Sequence, residues 1–250
     1  MSGAHFETVL RLGDNALILG QRLSEWCGHS PFLEEDIAIA NTALDHIGRA
    51  RMLLSHAGEL EGRGRSEDDL AYLRDEREFR NFLMVELPVG DFAFTLVRQF
   101  MLDVYHRELY ALLKGSSDET LAAIASKAVK ECAYHVRRSG EWILRLGDGT
   151  SESHDRAQSA LDELWGYSHE LFAGDAVDRA MTDAKVVPDL ADVCEPWRRE
   201  VEATLTEATL QIPHDDWQAT GGREGVHTEH MGHLLAELQV LQRTYPGLEW

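Results

Sequence analysis

Apolar side chains return every three or four residues in segment after segment of this chain, and that period admits helices and little else. Val9, Leu12, Ala16, Leu19, Leu23 and Trp26 trace one stripe, which predicts a first helix over about 8–26 with Gly13 as a tolerated weak point. Gly28, Ser30 and Pro31 make a short turn. Ile37, Ala40, Leu44, Ile47, Arg51 and Leu54 then trace a seam with bundle-like spacing, so the first two helices are expected to be antiparallel neighbours. Ser66 followed by Glu67, Asp68 and Asp69 reads as an N-cap with an acidic first turn, opening a third helix that should run to about Leu87 and stop at Pro88. Asp91 can cap a fourth helix carrying Phe92, Leu96, Phe100, Met101, Val104, Leu109 and Leu112, with Gly115 past its end. A fifth carries Leu121, Ile124, Ala128, Cys132, His135 and Trp142 before Gly147 and should lie antiparallel to the fourth.

Two helical hairpins joined by a long crossover that contains its own helix match the topology of ferritin-like bundles. The helical period continues through Ala160, Leu161, Leu164, Trp165, Leu171 and Phe172, a short helix from Asp175, and another from about Pro196 to Leu210. A loop with Gly221, Gly222 and Gly225 follows, and Thr228 can cap a last helix with Met231, Leu234, Leu235, Leu238 and Leu241 on one face. The expected class is therefore all-α: a ferritin-like four-helix bundle with a long helix-containing crossover and additional C-terminal helices. No repeat, low-complexity tract or flexible linker divides the chain, so 1–250 is expected to form a single domain, with a core bundle over about 5–147 and a C-terminal helical extension over about 151–245.

Charge removes whole classes of function. With 44 acidic and 24 basic side chains the formal net charge is -20, which argues against an extended surface for nucleic-acid phosphates or anionic lipid. No apolar run has the length of a bilayer, and Met1-Ser2-Gly3-Ala4-His5 lacks the basic and apolar regions of a secretory signal, so neither membrane insertion nor export is expected. Cys27, Cys132 and Cys194 are far apart and odd in number, the usage of a reducing compartment, which points to the cytoplasm.

A bundle of this kind could hold a di-iron carboxylate site, which takes one Glu from each of two helices and a Glu-x-x-His pair from each of the other two. Four carboxylates neutralise two divalent ions and two imidazoles leave positions open. The candidates here are Glu25, Asp45, Asp103 and His135 on the first, second, fourth and fifth helices. Two expected ligands are missing: Gly48 stands three residues after Asp45, and Cys132 stands three before His135. His46 points about 100° around the helix from Asp45, and Glu131 is one residue out of register with His135. Asp103 and His106 keep the one intact carboxylate-x-x-His spacing. The plainer reading has these acids satisfied by cations one turn away, Arg107 for Asp103 and Lys127 for Glu131, with Cys132 a small buried apolar residue.

His227, His230 and His233 recur at steps of three, which spreads the outer two about 120° apart and suits one ion poorly. Histidines around the Thr228 cap, at the start of a helix or at a contact between subunits, are the favoured reading. The Gly221-Gly222-Arg223-Glu224-Gly225 loop follows no strand, so it is neither a dinucleotide fingerprint nor a P-loop. Arg137, Arg138, Arg198 and Arg199 read as solvated faces or ion-pair partners.

Leu10 to Asn15, Glu25 to His29, Ala40-Asn41 with Leu44-Asp45, Arg74-Asp75-Glu76, Lys130-Glu131 with Tyr134-His135, and Gly221-Gly222 through His230 run almost from end to end of the chain. In these stretches it resembles the C subunits of the multicomponent phenylacetyl-CoA 1,2-epoxidase. The resemblance implies a ferritin-like, structural, non-catalytic subunit that pairs with and stabilises the di-iron catalytic A subunit in aerobic phenylacetate degradation. It implies iron in that partner, NADPH used by a separate reductase subunit, and no cofactor of its own. Further implied partners are the other epoxidase subunits and a copy of itself. Glu25, Asp45, Asp103 and His135 then look like remnants of a metal cage, with Gly48 and Cys132 at the lost positions. Two alternatives stay open: a metalloenzyme with an altered site using Asp45, Asp103, His106, Glu131 and His135, or a homo-oligomeric small-molecule binder.

Overall fold

Side-chain caps fix where many of the helices begin, because the first backbone N–H groups of a helix have no partner within it. In the computed structural model, which describes residues 2–247 and side chains from residue 3, Ser66 and Asp69 form a reciprocal capping box, the Asp91 carboxylate accepts from Phe94 N, and the Asp118 carboxylate accepts from Leu121 N. Among the described residues there are ten α-helices and no strand: α1 (Ser2–Ser24), α2 (Leu33–Glu61), α3 (Glu67–Tyr72), α4 (Leu83–Glu86), α5 (Phe92–Leu113), α6 (Glu119–Gly147), α7 (Ser151–Ser168), α8 (Ala176–Asp183), α9 (Leu190–Glu207) and α10 (Glu229–Thr244). The all-α class expected from the period is the observed one.

The chain divides into two compact units. The first comprises residues up to Pro88 and again from Thr220, and the second Val89–Ala219. The division falls between the two hairpins, so α7 to α9 share a unit with α5 and α6 whereas α10 returns to the first.

In the first unit α1 and α2 run antiparallel at close range. A Cβ on Gly13 would come within 2.7 Å of Leu54, and one on Gly20 within 2.9 Å of Ile47 and 3.3 Å of the Ala43 carbonyl, so the two glycines let the helices approach. The face of α2 turned inward is Ile39, Ala43, His46, Ala50, Leu53, Leu54 and Ala57. This corrects the expected seam, of which Ile37, Leu44 and Ile47 are exposed and only Leu54 is deeply buried.

The expected third helix over 66–87 is also corrected. It stops at Tyr72, restarts as a 3-10 turn at Glu76–Glu78, runs extended, and makes a single α-helical turn at α4. Side chains of α1 hold this irregular segment by supplying its backbone partners: the buried Asp14 carboxylate accepts from Arg80 N (2.9 Å) and Asn15 Oδ1 accepts from Phe82 N (2.7 Å). Asp14 is at the same time clamped by both terminal nitrogens of buried Arg74, which stacks 4.1 Å from the Phe79 ring centre.

In the second unit α5 and α6 are antiparallel, with Ser139 reaching Asp103 and Gly140 facing Phe100, and α7 and α9 pack against them. A Cβ on Gly147 would come within 2.1 Å of the Ala208 carbonyl, so the end of α6 is tolerant only of glycine. The α9 helix begins at Leu190, capped by Asp189, six residues earlier than expected, and Pro196 lies inside it. On α10 Met231, Leu234 and Leu235 are buried as expected, but Leu241 is exposed, and Gln239 is buried instead, donating to the carbonyls of Ala71 and Arg74.

Candidate functional site

Within the second unit the antiparallel register of α5 and α6 brings Asp103 to His135 and Ser139. Asp103 is buried, and each of its oxygens is engaged: Gln99 Nε2 donates to Oδ1 at 2.6 Å, and Ser139 Oγ lies 2.8 Å from Oδ2. His135 is buried as well, with Nδ1 4.0 Å from Asp103 Oδ1, beyond hydrogen-bond range but near enough for charge to act. Burial, the largest influence, pushes the Asp103 carboxyl above its usual range, against the opposing pull of His135, Gln99, Ser139 and Arg138. A neutral Asp103 would donate to Ser139 Oγ, leaving the hydroxyl proton for the His135 carbonyl 2.9 Å away. Ser139 and Gln99 were not legible as site residues. The signal that could have found them is their place one turn from His135 and Asp103 on the same helix faces.

Around this pair, Cys132 is buried one turn before His135, and His106 is buried with the Tyr105 ring centre 5.6 Å and the Tyr110 ring centre 6.1 Å from its own. Arg107 does not serve Asp103 as expected. It pairs with Glu200 of α9 and with Glu108, whose hydrogen bonds hold its pKa above the usual value despite partial burial. Lys127 does lie near Glu131, at 3.8 Å and largely exposed. Arg137 stacks 5.6 Å from the Tyr134 ring centre.

The first unit treats its candidates differently. Glu25 lies in the turn after α1, about a third exposed, and its carboxylate accepts from Arg22 at 2.7 Å. Asp45 is half-buried on α2, and Gly48 faces open space, with nothing within 4 Å of where a Cβ would stand. Its neighbour His46 is the fully buried one.

The polar centre of this unit lies elsewhere, at Glu86 and His227. Both side chains are fully buried; His227 Nδ1 lies 2.8 Å from Glu86 Oε2, and its Nε2 lies 3.2 Å from the Phe79 carbonyl. Since both ring nitrogens face acceptors, the doubly protonated imidazolium is the form that satisfies them. Burial opposes that charge, but the hydrogen bond and charge of Glu86, the Phe79 carbonyl and the charge of Glu76 together raise the His227 pKa. Glu86 also accepts from Asn81 (2.9 Å) and from Thr228 N, while Arg22 donates to the Glu86 carbonyl at 2.8 and 3.0 Å. Thr228 caps α10 by accepting from His230 N, as its sequence position suggested. Gly225, with φ of 75°, seats the preceding loop: a Cβ there would come within 2.3 Å of the Arg77 carbonyl. The result is a clasp that fastens α10 to α4, built from the stretches around Asn15, Arg74 and His227.

A di-iron centre needs four carboxylates and two imidazoles. Of the positions read as its remnants, only Asp103 and His135 are deeply buried; Glu25 is paired with Arg22, and Gly48 offers no ligand atom. By composition, three carboxylates and one imidazole, these residues fall short of that donor set.

A family model described as phenylacetic acid catabolic protein matches residues 1–250. The chain belongs to that family. Among the family's curated relatives, the C subunit of 1,2-phenylacetyl-CoA epoxidase from Escherichia coli (strain K12) is 49% identical over 242 residues, covering 97% of each chain. No helix among the described residues is long and apolar enough to cross a membrane.

Proposed function

We propose that this chain is the C-type structural subunit of a phenylacetyl-CoA epoxidase, pairing with and stabilising a separate di-iron catalytic subunit in phenylacetate catabolism. The observation that carries the proposal is identity of 49% sustained over 97% of both chains with a protein named as that subunit. The geometry supports the non-catalytic part of the reading. Glu25 is spent on Arg22, Gly48 has no side chain, and the buried Asp103 is held by Gln99 and Ser139 as a structural acid. Iron then belongs to the catalytic partner and NADPH to the reductase, and the complex works in the cytoplasm. Reconstituted turnover of phenylacetyl-CoA tests the proposal. Omitting this chain should abolish turnover, while a complex carrying both Asp103→Asn and His135→Gln should retain it within about twofold, a difference of about 0.4 kcal/mol in barrier. Turnover lost with the double variant in a folded, assembled complex would make the chain catalytic and overturn the proposal.

A further inference from the structure

The outer face of α2 carries a pattern that the chain leaves largely exposed, with Ile47 at its edge against Gly20 of α1. Leu33, Ile37, Ala40, Leu44, Ile47 and Arg51 follow steps of four, three, four, three and four, the a and d positions of a heptad seam. The stripe runs for about 27 Å along the helix. In this structure it lies in the open: Leu33 is 69% exposed, Ile37 53%, Leu44 64% and Ile47 38%. Leu or Ile at such positions is usually buried by a facing helix, and contiguous exposed apolar surface marks an interaction site. Gly48 adjoins the stripe with open space above it, although glycine inside a helix costs about 1 kcal/mol relative to alanine. Unlike Gly13 and Gly20, it makes room for nothing among the described residues.

We infer that this face is the docking surface for a helix of the catalytic subunit, one with an apolar ridge flanked by basic side chains. The inference rests on the proposed function for the identity of that partner. The seam's spacing specifies a helix as the occupant, packed knobs into holes, and Gly48 admits one of its larger side chains. Charge specifies a different chain rather than a second copy. Glu34 and Asp36 flank the first heptad, Asp45 lies farther around the helix, and the one cation on the stripe, Arg51, is already shared with Glu67 at 3.3 Å. Two copies would also each bring a net charge of -20 to the contact.

Binding of the purified chain to the purified catalytic subunit, followed by titration calorimetry, tests the inference with three variants at exposed positions, Ile37→Glu, Leu44→Glu and Glu34→Lys. Thermal melting of each variant alone should match the parent, since none of these side chains is buried. The two glutamate variants should weaken the complex at least about tenfold, and Glu34→Lys should weaken it and make it less sensitive to salt. Unchanged affinity in Leu44→Glu and Ile37→Glu would overturn this face as the docking surface while leaving the proposed function intact. Absence of any complex with the parent chain would instead sink the proposed function. A parent that sediments alone as a dimer, and a Leu44→Glu variant that sediments as a monomer, would assign the face to a second copy and overturn the inferred occupant.

Discussion

At Asp103 and His227 burial and charge act on stability through protons, and both effects have a definite sign. Asp103 ionises near pH 4 in the unfolded chain but keeps its proton to a higher pH when folded. The native state therefore binds more protons across that window, and stability falls as pH rises through it. Asp103→Asn keeps an acceptor for Gln99 and a donor toward Ser139 while removing the buried charge. Thermal melts from pH 4 to 7 should show a flatter dependence and a higher midpoint near neutrality than the parent; an unchanged slope would contradict the assignment. His227 has the other common sign. Its folded pKa is raised, so its contribution is complete below about pH 6.5 and is lost as pH rises through the folded value. The parent should lose stability on that alkaline limb and His227→Gln should not. The variant should also be less stable by about 3 kcal/mol at pH 6, because Glu86 would remain buried without its cation. Glu25, Asp103 and His135 were legible as candidates because carboxylates and imidazoles at helical spacing are visible in a sequence. The partners were not: Gln99 and Ser139 for Asp103, and Glu86 for His227, are ordinary residues whose meaning depends on what the folded chain brings to them.

Among the helices, glycine substitutions separate contact from propensity. Gly20→Ala places a methyl against Ile47 and the Ala43 carbonyl, so it should destabilise by about 1–3 kcal/mol despite alanine's better helix propensity. Gly48→Ala meets nothing and should stabilise the isolated chain by up to about 1 kcal/mol. Denaturant unfolding of both variants checks the signs; equal effects would contradict the α1–α2 register. Helix positions were largely readable, since Ser66, Asp91 and Thr228 each cap the helix their chemistry suggested. Orientation was harder. The α2 helix has two stripes, and the inward one includes His46 and Arg49, polar groups that hide it from an apolar count, while the cleaner heptad faces out. The supposed continuous helix over 66–87 failed for a related reason. Asp14 and Asn15, far away in sequence, satisfy the backbone of an extended segment that local propensity would have made helical.

On the scale of the whole molecule, end-to-end similarity to a named component of the epoxidase goes together with a Glu25 paired to Arg22 in the first unit and an Asp103 hydrogen-bonded to Gln99 and Ser139 in the second. On the proposed function the chain contributes surface and stability to an assembly, and the exposed seam of α2 is where that contribution is inferred to be made. The class and the topology of paired hairpins followed from periodicity alone. The grouping into two units, with α10 returning to the first, depends on the buried clasp between Glu86 and His227, which no local pattern announces. Metal content decides between an assembly partner and an oxygenase in its own right. The epoxidase complex is purified with iron present, its subunits are separated under non-denaturing conditions, and iron is measured on each chain. The proposed function requires iron to stay with the catalytic subunit, with far less than one ion per copy of this chain; about two tightly held irons per copy of this chain would contradict it.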